Sequence, residues 1–405
     1  MNIFIIIHTF HNIANLIPIM EKINKEKDKV IILYEKDQDI KDNKFPSLEK
    51  ILYNKIIKKS KINKPILKIK INDLKDIKEF IKILKSEEYH YIYFIFNGGT
   101  KIQFLDVYLF LSKHIQQNKL IFLYNNIKPC AYYERDTLKT KKVHLKYYEK
   151  HRIGLKEVLM LQNFKINIEN SKKIYSEDNK NQNFYNDKSL IKTINNFFED
   201  LIDIIIQECN FGEKMNSNKL FKNNKSNSLG EYFEDLVANR LLNFITNNPK
   251  YLKIIQEIYK NVHISSKNGV DNYQAEFDII IVLKNGILLY IECKSGLISQ
   301  KDLDAKFANL QRVSSLFSQM IITVPVIDLN KPYENKKCLE RYIKKVTERE
   351  KYIANKKYYF LPFTESLNYK NKIEFEFENR QYQYETFENT LSKILDEWLI
   401  DGTKD

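Results

Sequence analysis

Three side chains at the ends of two apolar, β-branched runs could do hydrolytic chemistry: Asp278, Glu292 and Lys294. Residues 276–283 and 287–293 flank Lys284-Asn285-Gly286, and an Asn-Gly turn between such runs predicts a hairpin. Side chains alternate across a strand, so Glu292 and Lys294 share a face. Whether Asp278 joins them depends on the loop. A two-residue Asn285-Gly286 turn would pair Asp278 with Cys293 and send it to the opposite face. A three-residue loop with Gly286 in the left-handed position of a bulge pairs Leu283 with Ile287, and hence Asp278 with Glu292. We expect the second register, because it brings both carboxylates and the lysine together. Carboxylate oxygens are hard donors that suit Mg²⁺ or Mn²⁺. A metal held there polarises a phosphate and acidifies a bound water, and an ammonium orients that water and offsets developing negative charge. The reaction expected is phosphodiester hydrolysis.

Upstream, Ser228-Leu229-Gly230-Glu231 has the spacing of a capping box, which makes Glu231 a helix cap. Glu234 follows three residues later among Phe233, Leu236 and Val237. It either points along the helix toward the hairpin and completes the metal site, or is a solvated helix charge. Glu276 falls on the same strand face as Asp278, beyond the closest group. Lys306, Gln311 and Arg312 lie on the next helical stretch, where a solvated face is the plainer reading and a grip on substrate phosphates the sharper one.

A second constellation sits near the start of the chain. Asn97-Gly98-Gly99-Thr100-Lys101 separates an apolar strand from a helix and holds the only adjacent glycines among nine. Glycines let backbone approach a ligand, and a helix N-terminus offers unpaired N–H groups to an anion. The spacing is neither a P-loop nor a dinucleotide fingerprint. Open α/β sheets bind ligands at the carboxyl ends of their strands. His8, Thr9, Phe10, His11 and Asn12, after the first strand, would share that rim.

The elements that must position these groups are an alternation of strands and helices. Apolar runs at 3–7, 30–34, 66–71, 91–96 and 120–124, with helical periodicity between them, predict βαβ units and a doubly wound, mostly parallel sheet. Residues 141–215 read as a helical connector, with a polar loop or insertion at 170–188. From 216 to 405 the order is helix, hairpin, helix and strand, closing on an amphipathic helix at 386–399. The fold class expected is therefore α/β, with a ligand-sensing domain at 1–140 and a catalytic α/β domain at 216–405. A chain of 405 residues, 43% hydrophobic and 29% charged, is too long for one ordinary core and too apolar for general disorder. Its 66 basic and 52 acidic side chains give +14, a balance that suits a polyanion. The Lys-rich stretch 331–357 either tracks a nucleic-acid backbone or is solvated. Four isolated cysteines, Cys130, Cys209, Cys293 and Cys338, argue against zinc ribbons and disulfide frameworks and fit a reducing cytoplasm. The short apolar run at 3–7, interrupted at His8, reads as a buried strand and not as a signal peptide or membrane span.

Taken in order, Asn97-Gly98-Gly99-Thr100-Lys101, Gly154-Leu155-Lys156-Glu157-Val158-Leu159, Gly230-Glu231-Tyr232-Phe233-Glu234, Glu276-Phe277-Asp278 and Glu292-Cys293-Lys294 resemble the CRISPR ancillary nucleases, which fuse a Rossmann-like CARF sensor domain to a restriction-endonuclease-like PD-(D/E)xK domain. Phe277 stands where the motif often has proline. The resemblance implies a homodimer whose paired CARF domains bind a cyclic oligoadenylate, usually cyclic tetra-adenylate, and switch on a Mn²⁺- or Mg²⁺-dependent endonuclease acting on DNA or RNA in type III CRISPR antiviral defence. By it, Thr9, Asn97, Gly98, Gly99, Thr100 and Lys101 map to messenger binding, Glu234, Asp278 and Glu292 to the metal, and these three with Lys294 to catalysis. Two other readings keep the same residues: an unactivated restriction- or repair-type nuclease, and a non-catalytic CARF-type nucleic-acid-binding regulator.

Overall fold

In the computed structural model the chain folds around two seven-stranded sheets. The structure describes all residues except 9–11, 25, 35–43, 55–64, 71–77, 79, 83, 86–87, 98–99, 126–130, 137–138, 145–152, 163, 168, 177–186, 212–227, 267–273, 285, 296–299, 315–317, 357, 367–371, 378–379 and 398–405.

The first sheet takes β1 (Asn2–Ile7), β2 (Lys29–Tyr34), β3 (Ile66–Lys70), β4 (Tyr91–Ile95), β5 (Leu120–Asn125), β6 (Ala131–Arg135) and β7 (Thr140–His144), with α1 (Asn12–Lys22), α2 (Lys44–Leu52) and α3 (Lys101–His114) between strands. Its order is β3-β2-β1-β4-β5-β6-β7, parallel through β5 and antiparallel for the last two strands. The alternation of β1 shows why it is buried on both faces. Phe4 and Ile6 enter one core and Ile3, Ile5 and Ile7 the other. Such two-sided burial is what turns a parallel strand into an unbroken apolar run. The strand order reverses between β1 and β4, so their carboxyl ends open a crevice at a topological switch point.

The second sheet takes β8 (Phe164–Ile166), β9 (Lys172–Ser176), β10 (Ile255–Ser266), β11 (Gln274–Leu283), β12 (Leu288–Cys293), β13 (Gln319–Pro325) and β14 (Tyr359–Phe363). Its order is β14-β13-β12-β11-β10-β8, with β9 also on β10. Its helices are α4 (Leu155–Leu161), α5 (Asp187–Phe211), α6 (Leu229–Thr246), α7 (Gln300–Ser314), α8 (Lys336–Asn355) and α9 (Phe387–Asp396). A separate hairpin, β15 (Ile373–Phe377) and β16 (Arg380–Tyr384), follows β14, and short helical turns lie at Gln117–Lys119 and Pro249–Leu252. Helix α4 packs on α1 and α2 beneath the first sheet and on α7 of the second, so one apolar cluster runs through both.

Two expectations change here. The stretch read as a helical connector supplies β8 and β9 to the second sheet, and part of the expected polar loop at 170–188 is strand. Lys172 and Lys173 hid this strand. As an edge strand it can begin with two exposed lysines while Ile174 and Tyr175, further along, are buried. Cys209 and Cys338, read as isolated, form a disulfide that joins the last turn of α5 to the first turn of α8. Their separation of 129 residues gave no spacing signal.

Candidate functional site

The β11–β12 hairpin has the three-residue loop. Ile279 pairs with Ile291 and Val282 with Leu288, and Leu283 N–H donates to the Ile287 carbonyl at 2.9 Å. Continuing that register puts Asp278 opposite Glu292. Gly286 sits at φ +80° with its N–H bonded to the Leu283 carbonyl, and a Cβ there would lie 3.1 Å from Ile153, so any other residue at this turn would be strained. Asn285 lies outside the described residues.

Glu292 is fully buried. Lys294 Nζ stands 2.6 Å from its Oε1 and Lys306 Nζ 3.5 Å from its Oε2. Neither carboxylate oxygen accepts a well-directed hydrogen bond among the described residues. Asp278, also buried, accepts the Cys293 N–H at 2.7 Å, which ties the two motif strands together. Lys306 also donates to the Glu276 carbonyl at 3.2 Å, so it belongs to this cluster and not to a solvated helix face.

Helix α6 delivers Glu234. Ser228 and Glu231 form the reciprocal capping box, so Glu231 is a cap. Phe233, Leu236 and Val237 bury the flanking positions. Glu234 lies within electrostatic reach of Asp278, Glu292 and Lys294: burial, then Asp278, pushes its carboxyl up to about 8, against the pull of Lys294. Burial, then Glu292, pushes Asp278 up to about 7, while Lys294 and Lys306 oppose the rise. Burial alone would lower the Lys294 ammonium, but Glu292 and Asp278 outweigh it and hold it above its ordinary value. The site is thus a cluster of carboxylates short of positive charge.

That donor set fits a hard divalent cation. Mg²⁺ binds through one or two carboxylates plus waters and substrate phosphate. Asp278 and Glu292 supply two carboxylates, and the ill-matched oxygens of Glu292 leave lone pairs to give. Among the described residues no three His, Cys, Asp or Glu side chains form a ready-made metal cage, so Glu234 is not placed as a third ligand.

The cluster makes a pH prediction. A buried acid whose value is raised binds more protons folded than unfolded, so its contribution to stability is lost as pH rises through the folded value. For Asp278 that window runs from about pH 4 to about 7. In EDTA, Asp278→Asn should melt above the wild type at pH 8, with the gap closing near pH 4, and added Mg²⁺ should raise only the wild-type melting temperature. Parallel melting curves across this range would remove Asp278 from the charged cluster.

Asn261 escaped sequence reasoning. It has φ +50° within β10, where pairing is regular at Lys260–Ile279 and Val262–Phe277 and skips the rung opposite Asp278. Asparagine tolerates this conformation better than other non-glycine residues, and strained backbone clusters at functional sites. Asparagine, depleted in strands, was the one available signal.

At the other rim, β4 ends beside β1 as expected. Asn97 Nδ2 donates to the Ala14 carbonyl of α1 at 2.7 Å, and His8, Asn12 and Asn15 are buried nearby on the chain leaving β1. Thr100 caps α3 and exchanges hydrogen bonds with Gln103, which gives its hydroxyl a structural partner. Lys101 is exposed at the first helical position. Thr9, Gly98 and Gly99 lie outside the described residues.

No family model and no curated protein matches the chain. Among solved structures it is similar to protein VC1899 from Vibrio cholerae, at 13% identity over 89% of this chain and 94% of that one, with a TM-score of 0.55. The chain is an α/β protein. No described helix is long and apolar enough to cross a membrane.

Proposed function

We propose that the protein is a metal-dependent endonuclease that hydrolyses DNA or RNA and is switched on by a cyclic oligoadenylate, with cyclic tetra-adenylate the first candidate. The observation that carries the reading is the hairpin register that sets Asp278 against Glu292 with Lys294 and Lys306 on the same carboxylate. Asp278 and Glu292 would hold Mg²⁺ or Mn²⁺, which when bound polarises the scissile phosphate and acidifies the attacking water. Lys294 orients that water and offsets charge at the phosphate, and Glu234 sets the local field.

The messenger half of the reading rests on the switch-point crevice. A lysine at a helix N-terminus opposes the helix dipole, and an anion placed there relieves the conflict. Lys101 holds that position beside the glycine pair. Helix α3 also exposes a stripe of Ile102, Leu105 and Leu109, the last two roughly half exposed, which supports a homodimer through this face. Helix α4 supplies a route between the sites. It touches α1 and α2, its first N–H (Leu155) bonds Glu257 of β10 at 2.9 Å, and Ile153 before it packs on the turn of the catalytic hairpin. A ligand shifts this arrangement only if it binds one state better than the other.

The test is cleavage of labelled single-stranded DNA, single-stranded RNA and plasmid with Mn²⁺ or Mg²⁺, with and without cyclic tetra- and hexa-adenylate. Cleavage needing metal and one ring is expected. Lys101→Ala should need at least about tenfold more messenger, the worth of one lost charge-assisted contact, while its metal affinity stays that of the wild type. Cleavage indifferent to either ring would reassign the first sheet and favour an unactivated nuclease. An inert protein that still holds DNA would favour the non-catalytic regulator.

A further inference from the structure

Beside the carboxylates lies a cleft of about 340 Å³ lined by Asn167, Asn170, His263, Ser265, Ala275 and Glu276. It is built on the same strand face as the catalytic group. His263 pairs directly across from Glu276, its Nε2 3.7 Å from a Glu276 carboxylate oxygen. Ser265 and Glu276 each lie two residues from His263 and Asp278 respectively, about 7 Å along a strand. The outer wall is the turn between β8 and β9. There Asn167 N–H bonds the His263 carbonyl at 2.8 Å, Ser171 N–H bonds the Asn167 carbonyl at 3.1 Å, and Ser171 Oγ accepts His263 N–H at 3.0 Å. These bonds fix the wall to β10, so the cleft is preformed. Lys306, which reaches Glu292, also grips the Glu276 backbone and joins the cleft to the reacting centre.

Its chemistry differs from that of a phosphate site. Among the described residues no lysine or arginine lines it, and Glu276, 63% exposed, puts negative charge at its mouth. That lining disfavours a phosphate inside the cleft. Amides, an imidazole, a hydroxyl and a carboxylate acceptor instead match the edge of a flat, neutral heterocycle. Carboxylates accept from the exocyclic amine of cytosine, and asparagine pairs with the amine edge of adenine. The volume suits a small bound group.

We propose that this cleft binds the unpaired base next to the scissile phosphate and prefers adenine or cytosine over thymine or uracil. The proposal rests on the nuclease reading for its placement, and it commits the substrate to a single strand, since only an unstacked base can be splayed into a pocket and read on its edge. Glu276 and Asn170 are the specificity residues here, and Glu276 acts by accepting a hydrogen bond.

The test is equilibrium binding of labelled eight-nucleotide dA, dC and dT strands to the full chain in EDTA, read by anisotropy. One good base contact predicts that dA and dC bind about tenfold tighter than dT, and that Glu276→Gln or Asn170→Ala reduces the difference to about threefold or less. Equal affinity for the three strands, or discrimination unchanged in both variants, overturns the proposal. A second arm maps cuts in a mixed-sequence strand with Mn²⁺ and cyclic tetra-adenylate. Cuts beside A or C that lose this bias in Glu276→Gln support it, and cuts placed without regard to base overturn it. A strand bound with discrimination but never cut refutes the nuclease reading and leaves the base pocket standing.

Discussion

Glu292→Gln is expected to lower the cleavage rate by at least about 10²-fold, the usual loss when one preorganised electrostatic group is removed from a reacting centre. The substitution keeps the shape of a fully buried side chain and removes only its charge. Three consequences follow from the geometry. A hard donor is lost beside Asp278. The ammonium groups at 2.6 and 3.5 Å lose their partner, so Lys294 falls toward its ordinary value and its orientation loosens. The repulsion that raises Asp278 is also relieved, so its carboxyl falls as well. The fold should survive, because the side chains of Lys294 and Lys306 keep 31% and 29% of their surface in solvent and can turn outward. Single-turnover cleavage at saturating metal and messenger, beside messenger binding by calorimetry, checks this. Lost cleavage with unchanged messenger affinity is the expected pair of results. Wild-type cleavage by the variant would mean that the hairpin is not the reacting centre.

The hairpin was legible because its information is local. Loop length, the left-handed glycine and side-chain alternation fix the register, and the register fixes which charges meet. Helix α6 was legible for the same reason, through Ser228 and Glu231. What sequence could not show depends on contacts between distant segments. Lys306 looked solvated because its helix is polar, and only the packing of α7 brings it to Glu292. Asn261 obeys no periodic pattern, and Cys209 finds Cys338 only after α5 and α8 are placed. Strand β9 was lost because an edge strand can begin with exposed lysines and bury only its second half. The other rim was half legible: strand order sets the ends of β1 and β4 side by side at the switch point, whereas Thr100 proved to be engaged by Gln103.

Arg240 shows how far such nonlocal contacts reach into the site. It lies six residues beyond Glu234 on α6, about 9 Å along the helix axis. It is fully buried, and its Nε and Nη2 donate to Glu388 of α9 at 2.6 and 2.8 Å. Its guanidinium also donates to the Thr364 and Ser366 carbonyls and lies between the Phe363 and Phe387 rings at 4.9 and 4.8 Å. One side chain therefore locks the helix that carries Glu234 to α9 and to the chain leaving β14. Removing one partner of such a pair strands the other charge, so Arg240→Ala and Glu388→Ala should each destabilise the protein by about 3–5 kcal/mol. Replacing both by apolar residues of similar volume, Arg240→Met with Glu388→Leu, should cost much less than the two single losses added, because no buried charge is left unpaired. Denaturant midpoints for the two singles and the double, followed by circular dichroism, measure this. The double variant should also cleave more weakly than its stability suggests, since apolar packing keeps α6 in place without the directional bonds that set its rotation. Strict additivity of the singles would show that Arg240 and Glu388 act separately, and the orientation of Glu234 would then have to come from Phe233, Leu236 and Val237 alone.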